Sequence, residues 1–175
     1  PDLSQTAAYE YIRSEMARLI DTYGLSWIKV DFNFELGDDP AELTHYYRQW
    51  YKLLDELRLA YPDVIFEGCA SGGIRSDLNT ASHFDCHFLS DTVHPIDVLR
   101  IRQGALLRLP PGKLAAWIVL RSVGTEIPQY GCPLDQTPDS VVTPCGATWR
   151  ESVTVDVDFA ARVALPGTLG LSGDI

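Results

Sequence analysis

Lys29, Asp31 and Asn33 occupy alternate positions in the run Ser26-Trp27-Ile28-Lys29-Val30-Asp31-Phe32-Asn33. Aromatic and β-branched residues crowd this run just after Gly24, which predicts a short β-strand over 26–30. Strand side chains alternate faces, so a cation, a carboxylate and an amide project one way while Ile28, Val30 and Phe32 project the other. Alone, the run fits a buried ion pair with a capping Asn as well as a chemical centre. Two more patches follow apolar runs in the same manner: Cys69-Ala70-Ser71-Gly72-Gly73-Ile74-Arg75 and Ser90-Asp91. If these strand ends share one rim, Asp31 and Asp91 face a single pocket as a carboxylate pair. Such a pair suits glycoside cleavage, one carboxylate attacking the anomeric carbon and the other protonating the departing oxygen. Mutual repulsion and partial desolvation would keep one of them protonated near neutral pH. Lys29 and Arg75 would hold sugar hydroxyls and keep the nucleophile ionised, and Gly72 and Gly73 would let backbone approach a ligand closely.

Each of these residues also has a plainer reading. Asp91 after Ser90 suits the cap of a helix starting near Pro95. Glu67 shares a face with Cys69 and reads as a buried structural carboxylate, a candidate partner for Lys29. His83 and His87 have metal spacing only on a helix, and residues 84–89 read as strand, so no metal site is expected. Ser71 lacks the glycine two residues earlier that a hydrolase elbow requires, which excludes a serine hydrolase. Trp50, Tyr46 and Tyr47 read as helix-packing residues.

The elements that position these groups alternate along the chain. A helix is predicted from Ser4, as its cap, to Tyr23, closed by Gly24. A turn at 37–40 leads into a second helix over 41–60, with Pro40 at its first position. Strands are predicted over 64–69 and 86–90, a helix over 95–109 and a strand over 114–120. Residues 123–144 read as an ordered loop on the catalytic face, 156–165 as a helix and 168–172 as a last short strand. Strands alternating with amphipathic helices imply parallel pairing and an α/β fold, whose ligands bind at the carboxyl ends of the strands. Five strands leave two architectures open: an open sheet, or the later part of a (β/α)₈ barrel.

Composition narrows the partners. Hydrophobic residues make up 46% of the chain, ample for a core, while a formal net charge of −10 argues against nucleic acid or an anionic membrane as partner. A neutral ligand such as a sugar meets no such repulsion. No run approaches the roughly 18–20 apolar residues needed to span a bilayer. Cys69, Cys86, Cys132 and Cys145 form no C-x-x-C pair, so a structural zinc is not expected. Cys132 and Cys145 are spaced to pair in an oxidising compartment; reduced thiols in the cytoplasm are the expectation.

In three ordered segments the sequence resembles glycoside hydrolase family 36, the α-galactosidases or melibiases and their raffinose-synthase relatives. These are Trp27-Ile28-Lys29-Val30-Asp31-Phe32-Asn33, the stretch from Pro62 to Arg75 and Leu89-Ser90-Asp91, and the spacing from Cys69 to Asp91 fits the family pattern. The resemblance implies a retaining glycoside hydrolase that releases terminal α-linked galactose through a covalent glycosyl-enzyme. Asp31 would be its nucleophile and Asp91 its general acid/base. Lys29, Asn33, Cys69, Gly72 and Arg75 would bind the galactose unit, with no cofactor and no metal. It also implies that residues 1–175 form one partial catalytic domain, about five parallel strands from the C-terminal part of a (β/α)₈ TIM barrel. The family's first barrel strands, its N-terminal β-sandwich and its C-terminal β domain would be absent. The expected partner is a melibiose- or raffinose-type α-galactoside, and the full-length enzyme would be a homo-oligomer. The sequence departs from the family pattern at His94, where a second aspartate is common, at Ile74, which replaces a third glycine, and at Val30, where an aromatic is frequent. A galactosyl transferase of the raffinose-synthase type would use the same carboxylates, and a non-catalytic half-barrel that only binds sugar is the remaining alternative.

Overall fold

The computed structural model describes residues 1–33, 39–92, 94–121 and 157–174. Five strands, β1 (Trp27–Asp31), β2 (Ile65–Cys69), β3 (Cys86–Phe88), β4 (Leu114–Arg121) and β5 (Thr168–Asp174), form one parallel sheet in sequential order. Between and before them run α1 (Thr6–Tyr23), α2 (Pro40–Ala60), a short α3 (Leu78–Ser82), α4 (Pro95–Leu106) and α5 (Val157–Ala164).

Local chemistry explains the element ends. Gly24 closes α1 in the left-handed region at φ 62°, its N–H reaching the Ile20 carbonyl. Ser4 does not cap that helix: α1 starts two residues later, after Gln5, and both the backbone N–H and the hydroxyl of Ser4 donate to Asp2 at 2.9 Å. Asp39 caps α2 by accepting from the Ala41 N–H, with Pro40 as the first helical residue. The predicted turn glycine and aspartate at 37–38, the 123–144 loop, Cys132 and Cys145 lie outside the described residues. The third strand stops at Phe88, short of the expected Ser90, and the following helix stops at Leu106, short of Leu109. The helix α3 was not foreseen; its five residues are too few for a periodic signal, although Asp77 caps it by accepting from the N–H groups of Asn79 and Thr80.

Register decides between the two architectures. Ile28 pairs with Phe66, Gly68 with His87, and His87 with Leu114, so these positions share one face across four strands. That face is the one the helices cover. Phe66, Ile28, Val30 and Phe32 pack with Trp50, Leu53, Leu54 and Leu57 of α2, while Ala116 and Ile118 pack with Ala160 and Ala164 of α5. A doubly wound sheet would carry helices on both faces and reverse its strand order. Sequential order with helices on one side is barrel winding, and the five strands form part of a (β/α)₈ barrel. The other face, the concave one, carries Trp27, Lys29, Asp31, Glu67, Cys69, Cys86, Phe88, Ala115 and Trp117. Among the described residues no helix is long and apolar enough to cross a membrane.

Candidate active site

The site lies at the carboxyl ends of β1, β2 and β3. Lys29 and Asp31 alternate with Ile28 and Val30, so the apolar pair anchors the strand to the helices while the charged pair is exposed on the concave side. Lys29 sets its ammonium 3.7 Å from the centroid of the Phe88 ring, a cation–π contact from β1 across to β3. The suggested Lys29–Glu67 ion pair is absent. Glu67, fully buried, accepts from the Trp27 indole N–H at 2.9 Å, because Trp27 projects from the same face two residues upstream.

Asp31 pairs with Cys69 at the last rung of the β1–β2 ladder. Burial pushes the Cys69 thiol up to about 11. The Gly72 backbone and Lys29 oppose that shift, and the Asp31 carboxylate adds to it. The thiol is therefore neutral near pH 7, close to the carboxylate and able to donate to it.

The chain then turns through residues 70–75. The Ala70 N–H donates to the Gly72 carbonyl at 2.9 Å, with Ser71 at φ 41° and Gly72 at φ 77°. A non-glycine residue at positive φ is strained by about 1–3 kcal/mol, and such strain persists only where neighbours over-determine it. Here they do. The Ser71 N–H donates to Asn33 Oδ1 at 2.6 Å, and the Ser76 hydroxyl donates to the Gly73 carbonyl at 2.7 Å. A methyl group at Gly72 would lie 2.6 Å from the Ser90 Cα, and one at Gly73 would lie 2.8 Å from the Leu89 carbonyl oxygen. Only glycine allows this loop to sit against the 89–90 backbone.

Arg75 closes the loop. Its Nε donates to the Tyr47 hydroxyl at 3.0 Å, one terminal nitrogen donates to the Phe32 carbonyl at 2.5 Å, and its guanidinium lies 4.0 Å from the Phe32 ring centroid. Beyond β3, the Ser90 hydroxyl accepts from the Thr92 N–H at 3.1 Å, a tight turn with Asp91 at its tip. Asp91 does not cap the next helix; His94 occupies the N-cap of α4, with Nδ1 3.7 Å from Asp97.

The structure thus gathers Lys29, Asp31, Asn33, Cys69 and Gly72 around one loop and sets Asp91 one residue beyond the loop's contact with Ser90. Asp31 ends β1 and Asp91 follows β3 by three residues, with β2 between the two strands. Asp31 lines a cleft of about 1180 Å³ with Val30, Phe32 and Tyr46, whereas Lys29 and Ser90 line a second of about 280 Å³ with Phe88 and Trp117; Asp91 lines neither. Among the described residues no three His, Cys, Asp or Glu side chains gather as a metal site. His83 stacks on Tyr51 and meets Asp55 at 2.8 Å, while His87 is buried on the helix-covered face. Sequence reasoning missed Tyr47 as the partner of Arg75, which no residue pattern signals, and Trp27 as the partner of Glu67, although strand alternation places Trp27 on the same face as Lys29.

Residues 1–125 match the family model described as Melibiase. Over 176 aligned residues the chain is 33% identical to alpha-galactosidase C of Emericella nidulans, covering 99% of this chain and 20% of that protein. The galactosidase domain of an alpha-galactosidase-sucrose kinase, AgaSK, superposes with a TM-score of 0.75 at 20% identity, covering 98% of this chain and 21% of that one. A variant of the GH36 alpha-galactosidase AgaA from Geobacillus stearothermophilus, in complex with raffinose, superposes with a TM-score of 0.72 at 18% identity over 99% of this chain and 22% of that one. The chain spans about a fifth of the length of these relatives.

Proposed function

The chain belongs to the melibiase family, and from that premise we propose that it carries the two catalytic carboxylates of a retaining α-galactosidase. Asp31 attacks the anomeric carbon of a terminal α-galactoside and forms a glycosyl ester, while the Asp91 proton passes to the departing oxygen. Water then gives a proton to Asp91, its oxygen attacks the same carbon, and the Asp31 carboxylate is released. Lys29, Asn33, Cys69 and Gly72 contact the sugar. Asn33 Oδ1 is held by the Ser71 N–H, which turns its amide NH₂ toward a ligand hydroxyl. The location is cytoplasmic and the assembled enzyme is a homo-oligomer, which cell fractionation and light scattering check.

The observation that carries this reading is the loop after β2. It bonds to Asn33 and Phe32 just past Asp31 and packs on Ser90 just before Asp91. The raffinose bound by one structural neighbour makes raffinose and melibiose the first substrates to assay. The test uses the protein encoded by the complete reading frame. A 2-fluoro-galactosyl fluoride should esterify Asp31, as read by mass spectrometry of the peptide, and NMR should show α-galactose as the first product. Label on another residue, or β-galactose released first, would overturn the assignment. Transfer to an added acceptor sugar, in preference to water, would mark the protein as a galactosyl transferase.

A further inference from the structure

We propose that Arg75 is a positioning residue for Asp31, clamping the backbone just past the nucleophile to α2, and is not a ligand of the sugar. The inference rests on the reading of Asp31 as nucleophile. Asp31 forms the last rung of the β1–β2 ladder, so the Phe32 carbonyl that follows has no strand partner. A half-buried carbonyl needs a donor, and Arg75 supplies one at 2.5 Å. The same guanidinium bonds the Tyr47 hydroxyl at 3.0 Å, and the Tyr47 ring is itself stacked on Tyr51 at 5.9 Å. The Phe32 ring lies beneath the guanidinium and meets Trp50 edge-on at 5.3 Å.

The Phe32 carbonyl is therefore tied to the second helix through one planar group. Only a guanidinium reaches two acceptors on different elements while its centre sits over an aromatic ring; an ammonium offers neither the fork nor the plane. The Ser71 N–H holds Asn33 by a separate bond. Residues 32 and 33 are gripped by different groups of one loop, and this fixes the direction in which Asp31 leaves the sheet. Misplacing a reacting atom by about 1 Å can lower the rate on the order of 100-fold.

The experiment compares wild type, Arg75→Met, Arg75→Ala, Tyr47→Phe and the Arg75→Met/Tyr47→Phe pair in the protein encoded by the complete reading frame. It reads kcat on an aryl α-galactoside and the inhibition constant of galactose. Arg75→Met should lower kcat about 100-fold while galactose inhibition shifts less than about 3-fold. Tyr47→Phe should lower kcat by a smaller factor in the same direction. The double variant should be no slower than Arg75→Met alone, since both changes break one clamp. Methylguanidinium should restore part of the kcat of Arg75→Ala. If Arg75→Met does not fold, as judged by circular dichroism, Tyr47→Phe carries the test, and unchanged kcat in that variant overturns the proposal. Galactose affinity falling in step with kcat, or independent effects of the two substitutions, would also overturn it. Wild-type enzyme that is esterified at a residue other than Asp31 would instead overturn the underlying assignment.

Discussion

The two strand ends that carry Asp31 and Asp91 are held by different means. At the end of β1 the grip comes from side chains: Asn33 accepts from the Ser71 N–H, Arg75 donates to the Phe32 carbonyl, and Cys69 lies opposite Asp31. At the end of β3 it comes chiefly from backbone: Gly72 and Gly73 press against Leu89 and Ser90, with one side-chain bond added where the Ser90 hydroxyl accepts from the Thr92 N–H. A side-chain grip weakens by degrees as its groups are replaced. A methyl group added at Gly72 would lie 2.6 Å from the Ser90 Cα, so this contact admits no added atom, and the proposed acid's side of the site should tolerate change least where no functional group is present.

The largest effect should come from Asp31→Asn, which removes the proposed nucleophile. Turnover of an aryl α-galactoside should fall below about a thousandth of wild type, with the thermal melting curve unchanged. Activity above about a tenth would sink the assignment. Next, Asp91→Ala should slow raffinose and melibiose far more than an activated aryl galactoside, which needs little protonation. Equal losses across a leaving-group series would contradict an acid role.

Gly72→Ala tests the backbone grip. Both its φ of 77° and the nearby Ser90 Cα oppose a methyl group, so kcat should drop at least about 10-fold and the melting temperature should fall by several degrees. A silent substitution here would erase the contrast between the two ends. Ser71→Gly sharpens it from the opposite side. The bond to Asn33 uses the backbone N–H, which glycine keeps, and the strain at φ 41° is relieved. Activity should be retained, with stability unchanged or higher by up to about 1 kcal/mol.

Away from the two strand ends, the expected effect is on stability alone, as a pH dependence behind the loop. Burial, with help from Lys113, lowers His87 to about 4. The unfolded chain takes up that proton near pH 6.5 and the folded chain does not, so this contribution is fully present above pH 6.5 and is lost as pH falls toward 4. Denaturant midpoints should decline across that window, and His87→Gln should flatten the decline. An unchanged slope in the variant would assign the effect to other groups.

The alternation of Lys29, Asp31 and Asn33 was legible because a strand has a period of two and the apolar residues between them mark the buried face. The positions of Asp31, Cys69 and Ser90-Asp91 after apolar runs were legible for the same reason. The winding was legible through the family resemblance alone, not through the pattern of elements. An open sheet and a barrel share the same alternation of elements, and only the register, with one face under all the helices, separates them. Arg75 was legible as a cation near the site but not as a clamp, because its partners lie 28 and 43 positions away in sequence. Glu67 was recognised as buried, yet its partner is an indole two positions from the cation proposed for it.

The burial of the two described cysteines has a practical consequence for handling the protein. Cys86 is pushed up to about 12, chiefly by burial, and Cys69 to about 11. At pH 7.4 roughly one Cys69 in several thousand is a thiolate, and the thiolate is the form that reacts. Iodoacetamide and maleimides should leave both thiols almost untouched while the sheet is closed. The slow labelling that does occur then measures how often the strands open, so a reagent meant for tagging becomes a clock for local unfolding beside Asp31.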